Sequence, residues 1–228
     1  MLIISLMKYP IAVYIFLGLF LLASILQLAF AFIENQRLRR REKIFCMMML
    51  GCAAVFALPN HPLIYIGAFL GMLGDLFVLR KKTFNLGVVS FFLGHLCYIF
   101  ECMFMIIGEH NIGWTNHIIF VVTYIVVALA MYGFCKHAKN HTTQNKIAQS
   151  LYFSILAVYI PVFSLAMARV GSYMFLSLIG SLVFIISDSI LVVTHFGYKF
   201  KRYDFYIMLT YLIAEFLIVS GFVLTLAN

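Results

Sequence analysis

Gly71-Met-Leu-Gly-Asp-Leu-Phe-Val-Leu79 and Phe184-Ile-Ile-Ser-Asp-Ser-Ile-Leu191 each place one aspartate inside an apolar run long enough to cross a bilayer. A carboxylate at the centre of such a run costs about 2.5–3.5 kcal/mol on insertion scales, so it is expected to face a bundle interior or a wet cavity. Outward from these two stretches, apolar runs recur at 10–33, 44–58, 62–79, 84–107, 117–135, 150–168, 171–194 and 204–227. Each approaches the roughly 17–25 residues that a spanning helix needs. None alternates as the strands of a closed barrel would, so helices must satisfy the backbone in lipid. The expected fold is all-α: a polytopic integral membrane protein of eight transmembrane helices, forming a single domain over 1–228.

Composition agrees with that reading. Of 228 residues, 64% are hydrophobic and 11% charged, a balance that no water-soluble core accommodates. The net charge of +8 does not point to nucleic acid, because the basic residues sit in short links and lack an aromatic-basic pattern. Cys46, Cys52, Cys97, Cys102 and Cys135 all fall in apolar runs without a Cys-x-x-Cys pair, so neither a disulfide framework nor a zinc site is expected.

Orientation follows from the basic residues. Arg37, Arg39, Arg40, Arg41 and Lys43 occupy the first link; Arg80, Lys81 and Lys82 the third; Lys136, Lys139 and Lys146 the fifth; Lys199, Lys201 and Arg202 the seventh. Fourteen of the sixteen therefore lie on one face, with Lys8 and Arg169 on the other. The odd links are expected to be cytoplasmic and both termini lumenal or exterior. With no sorting or lipidation signal legible, the endoplasmic reticulum is the default membrane. The Asn140-His-Thr142 sequon then faces the cytoplasm.

The third and seventh spans run in the same direction, and each carries its aspartate shortly before a basic link. Two four-helix repeats are compatible with this pattern. Gly67, Gly71 and Gly74 make a small-residue face that leads to Asp75; Ser177, Gly180, Ser181 and Ser187 do the same around Asp188. Either aspartate alone could be a structural hydrogen-bond acceptor. As a pair at matched depth they form a candidate acid and base, one holding a proton while the other is ionised.

Other polar residues in the spans are candidates for a pocket lining. Glu215 shares a stripe with Asp204, Met208 and Tyr211, and His95 and Tyr98 share a face of the fourth span. Glu101 is expected at the opposite interface, and Pro161 is expected to kink the sixth span. No Gly-x-Ser-x-Gly elbow, His-Glu-x-x-His pair or phosphate-cradling glycine loop occurs, so serine and zinc hydrolase readings fail. Neither a metal nor an organic cofactor is expected.

Taken together, Gly74-Asp75, Leu79, Phe84, Gly87, Phe91, His95 and Tyr98, then Ser187-Asp188 and Leu191, then Tyr211, Ala214, Leu217 and Gly221 form a spaced set. In these residues the chain resembles the YhhN-like family, the lysoplasmalogenases of animals and bacteria. The resemblance implies an eight-helix membrane hydrolase that cleaves the vinyl ether of lysoplasmalogen to a fatty aldehyde and a glycerophospho-ethanolamine or glycerophospho-choline. It implies Asp75 and Asp188 as the catalytic pair. With that pair in place, His95, Tyr98, Tyr211, Glu215 and Ser187 are expected to line the pocket for the lysophospholipid substrate. Glu215 stands where the family usually has Gln, Ile44 follows Lys43 where Pro is common, and Val192 replaces a frequent Ala. The competing reading is an eight-helix transporter that uses the same aspartates as a proton or substrate relay.

Overall fold

The computed structural model describes residues 10–33, 36–78, 81–107, 157–195 and 200–226, together with six helical positions between 118 and 129. Among the described residues all regular structure is helical. Helix α1 spans Pro10–Phe32, α2 Gln36–Ala57, α3 Pro62–Val78 and α4 Phe84–Ile107. A short apolar helix, α5, runs over Ala157–Arg169. Then come α6, Met174–His195, and α7, Tyr203–Leu226.

Four of these, α1, α4, α6 and α7, are long and apolar enough to cross a membrane. The protein is thus a multi-pass, all-α membrane protein. The eight expected spans exceed what these residues show: α3, α5 and the Lys43–Ala57 part of α2 are apolar but shorter. At 17 residues, α3 extends about 25 Å, against roughly 30 Å of hydrocarbon. Most of the expected fifth span, 117–135, and the start of the sixth lie outside the described residues.

Boundaries otherwise follow the apolar runs to within a few residues, with one exception. Helix α2 begins at Gln36, eight residues before the expected start, so Arg37 to Lys43 belong to a helix and not to a link. Arg, Lys, Leu and Glu are strong helix formers, and that preference extends α2 back through the charged segment. Pro10 and Pro62 open α1 and α3, where a missing amide hydrogen costs nothing. Beyond α3, a 3₁₀ turn at Lys81–Thr83 lets the Thr83 hydroxyl donate to the Phe77 carbonyl at 2.7 Å, satisfying an orphan acceptor at the helix end. Helix α5 continues unbroken through Pro161.

Consecutive helices pack as hairpins, α1 on α2, α3 on α4 and α6 on α7, and α7 also meets α1, α2 and α3. Helix α5 joins through Tyr159, whose hydroxyl meets His95 of α4, and through Phe163, whose ring packs edge-on to Phe222 of α7. Helix α7 is therefore the centre, with Ile207, Met208, Tyr211, Leu212, Ala214, Glu215, Ile218 and Phe222 all buried. Helix α1 is peripheral. It exposes Ile11, Ile15, Leu22 and Ile25, as a lipid-facing surface would.

Glycine sets the close approaches. A Cβ at Gly180 would stand 2.8 Å from the Ala214 carbonyl oxygen and 2.9 Å from the Ile218 nitrogen, so α6 and α7 touch backbone to backbone. A Cβ at Gly87 would meet the Val78 nitrogen at 2.9 Å and the Gly74 oxygen at 3.0 Å. Serines of α6 add rungs, Ser177 donating to the Ile218 carbonyl at 2.9 Å and Ser187 to that of Ile207 at 3.1 Å.

Gly180→Ala and Gly87→Ala should each lower stability by about 1–3 kcal/mol, since backbone cannot yield as a side chain can. Gly18→Ala, where nothing lies within 4 Å, should be neutral or stabilising. Thermal unfolding of the purified protein in detergent separates the two groups.

Candidate active site

The glycine face of α3 does more than close a hairpin. A Cβ at Gly67 would lie 2.7 Å from the Tyr98 ring and one at Gly74 2.8 Å from the Phe91 ring, so both aromatics of α4 cross over α3 where side chains are absent. That crossing lets Tyr98 reach α7, where its hydroxyl donates to Glu215 Oε2 at 3.0 Å. One turn before Asp75, a Cβ at Gly71 would stand 3.4 Å from the Tyr211 hydroxyl and 3.8 Å from Glu215 Oε1. These two oxygens of α7 thus face α3 beside Asp75.

Asp75 is fully buried, and Lys43 Nζ of α2 approaches its Oδ1 at 2.8 Å. The Lys43 side chain is itself only 14% exposed, and its ammonium lies 5.4 Å from the centre of the Tyr211 ring. The contact is an ion pair by distance. The Tyr211 hydroxyl also interacts with the Asp75 carboxylate, although neither this contact nor that of Lys43 meets strict hydrogen-bond geometry. A buried charge pair of this kind is weak evidence for stability, yet breaking it from one side is costly.

Asp188, on α6, is 6% exposed and lies within electrostatic range of Glu215 and of Tyr159. Asp75 acts on Glu215 as well, so Glu215 links the two aspartates. His95 is buried, its Nδ1 2.6 Å from the Tyr159 hydroxyl and its ring edge-on to Phe184 at 4.5 Å. Tyr211 packs edge-on to Phe91 and to Phe184. Asp75, Asp188, His95, Tyr98, Tyr211 and Glu215 are therefore gathered through α3, α4, α6 and α7, with Phe91 and Phe184 between them. Ser187 is buried beside Asp188, but its hydroxyl is engaged on the Ile207 carbonyl.

Two participants escaped the sequence reading. Lys43 was counted with the basic link, although it is the last cation before an unbroken apolar run, the one able to follow its helix inward. Tyr159 sits in an apolar run beside Pro161, with no pattern to distinguish it from packing. Glu101, expected at the opposite interface, meets the α2–α3 turn. It is buried, and one of its oxygens lies 2.6 Å from His61 Nδ1, because the α2–α3 turn folds back over α4. Among the described residues no group of three or more His, Cys, Asp or Glu side chains gathers to hold a metal ion.

Asp75→Asn leaves the Lys43 ammonium without its counter-charge, and Lys43→Met does the converse. Each should cost up to about 3–5 kcal/mol, reduced by the residual exposure of Lys43. The double replacement, an apolar and a neutral side chain, should recover most of the loss. Melting temperatures of the three variants in one detergent measure the coupling.

The model of the YhhN family matches residues 38–222, a stretch that runs from α2 through α7 and holds Lys43, Asp75, His95, Tyr98, Asp188, Tyr211 and Glu215. No curated protein and no solved structure matches the chain. With its matched stretch covering most of the sequence and all of the clustered polar side chains, the chain belongs to the YhhN family.

Proposed function

We propose that the protein is a membrane hydrolase that cleaves the vinyl ether of lysoplasmalogen, with Asp75 and Asp188 as its catalytic carboxyls. The observation that supports the reading is that Asp75, Asp188 and Glu215 are all buried, with both aspartates in electrostatic range of Glu215 and the Lys43 ammonium 2.8 Å from Asp75. Family membership supports hydrolysis as the class of reaction.

A vinyl ether is hydrolysed by protonation of its outer alkene carbon. The ether oxygen then shares the positive charge of an oxocarbenium ion, water adds to the carbon bearing that oxygen, and the hemiacetal breaks into a fatty aldehyde and a glycerol hydroxyl. The path needs one proton donor and one carboxylate that steadies the cation and takes the proton from water. Glycoside hydrolysis divides the labour in the same way. The Lys43 contact suits Asp75 to the carboxylate role, and the proton then comes from Asp188. His95, Tyr98, Tyr211 and Glu215 orient the polar head, and Ser187 holds α6 against α7 beside Asp188. No metal or organic cofactor takes part in this scheme.

The reading takes residues 1–228 as one eight-span unit in the endoplasmic reticulum membrane, with lumenal termini and the site toward the cytoplasm. The grouping of fourteen of sixteen basic residues near the expected cytoplasmic ends of the helices, with Arg37 to Lys43 in the first two turns of α2, supports that orientation. The α3–α4 and α6–α7 hairpins, each with a glycine-mediated contact and an aspartate, suit a duplicated half.

Purified protein given lysoplasmalogen in detergent should release aldehyde, trapped and quantified as a hydrazone. Asp188→Asn should lose at least about 10²-fold in kcat, the usual range for a general acid, while its melting temperature stays near that of wild type. Solute flux in liposomes without aldehyde release would instead identify a carrier.

A further inference from the structure

Helix α1 lies wholly outside the matched residues 38–222, yet it carries a buried amide without a partner. Gln27 is 0% exposed, and neither its amide nitrogen nor its oxygen has a hydrogen-bond partner. Ser24, one turn before it on the same inward stripe, also has a buried hydroxyl without a partner. A buried primary amide left unpaired costs about 1–3 kcal/mol, and leucine would fill the same stripe without that cost. An occupant that both donates and accepts would answer both ends of the amide.

The aromatic contacts set the depth of Gln27 in the bundle. Phe20 stacks on Phe216 at 5.9 Å and Phe32 meets Phe205 at 5.8 Å, so α1 runs antiparallel to α7 with Gln27 level with Leu209 and Thr210. Phe16 stacks on Phe56 at 5.4 Å, which sets Gln27 level with Phe45 of α2. Gln27 is therefore within about 3 Å of the depth of both Tyr211 and Lys43, at 1.5 Å per residue. Those two residues are themselves in contact across the seam of α2 and α7, the helices against which α1 packs. The Tyr211 hydroxyl and the Asp75 carboxylate, which interact with each other and with Lys43, lie near this level.

We propose that Gln27, with Ser24, forms a subsite for the hydroxyl-bearing glycerol head of the lysolipid. The inference rests on the hydrolase reading for the identity of the lipid. A free glycerol hydroxyl donates to the amide oxygen and accepts from the amide nitrogen, whereas a phosphate, an acceptor alone, would leave the oxygen unanswered. A diacyl or alkenyl-acyl lipid has an ester in place of that hydroxyl and loses the donor. The subsite thus selects a lysolipid over its acylated parent.

The test uses the full chain in detergent and two saturated alkyl-ether glycerophosphoethanolamines that cannot be hydrolysed, one with the free glycerol hydroxyl and one lacking it. Wild type should bind the hydroxylated probe about tenfold more tightly, the scale of a hydrogen bond between buried partners. Gln27→Leu and Gln27→Met should melt at or above the wild-type temperature and bind both probes alike, at the weaker affinity. Equal binding of the two probes by wild type overturns the proposal, as does a Gln27→Leu variant that keeps the preference. A lower melting temperature for both variants with no change in probe preference assigns the amide to bound water and also overturns it. Wild type that releases no aldehyde yet keeps the hydroxyl preference sinks the hydrolase reading and leaves the subsite standing.

Discussion

A carboxylate surrounded by hydrocarbon must be answered by charge or by hydrogen bonds, and Asp75 is answered by Lys43. This single contact ties together features that otherwise look unrelated. It requires α2 to remain helical through its charged beginning, so that the lysine enters the bundle on a rigid element. It draws α2 to α3 at the level where α7 presents Tyr211 and Glu215. Aromatic rings fill the remaining space, and the Lys43 ammonium lies near one of them, in a setting where water shields it little.

The glycines complete that constraint by controlling distance. Van der Waals contact, not water exclusion, drives helix association in lipid, so backbones must come close for it to matter. Between α3 and α4 the missing side chains at Gly67 and Gly74 admit the rings of Tyr98 and Phe91. Between α6 and α7, Gly180 admits backbone itself, and the hydroxyls of Ser177 and Ser187 bond to carbonyls across the seam. Packing and polar chemistry are inseparable here. A bulkier residue at position 67 would displace Tyr98, and with it the hydrogen bond to Glu215.

Much of this was legible in the sequence because the bilayer is a severe solvent. Apolar runs had to be helices, and the ends of α1, α3, α4, α6 and α7 fall near the ends of those runs. The small-residue face leading to Asp75 was readable from i, i+3 and i+4 spacing, since helix geometry is local. What could not be read was which cation would pair with Asp75. Lys43 and Asp75 are 32 positions apart, and only the tertiary meeting of α2 with α3 selects that lysine over its basic neighbours. The burial of Glu101 was hidden for the same reason, because His61 comes from a turn 40 residues away. Gln27 was passed over because a lone amide in an apolar run carries no periodic signal. Only its burial without a partner makes it conspicuous.

Glu215 stands at the position where the resemblance leads one to expect glutamine. The side-chain carbonyl of a glutamine could accept the Tyr98 hydroxyl as Glu215 Oε2 does, so that hydrogen bond is indifferent to the exchange. The other terminal atom is not. Oε1 faces α3 beside the Tyr211 hydroxyl, where glutamine would offer a donor and glutamate offers only an acceptor or a titratable oxygen. Because Asp75 and Asp188 both act on this group, the exchange alters the charge felt by each proposed catalytic carboxyl while leaving the packing intact. Asp75 is met by a cation and Glu215 by a neutral phenol, and unequal surroundings of that kind are how neighbouring carboxyls come to hold different roles.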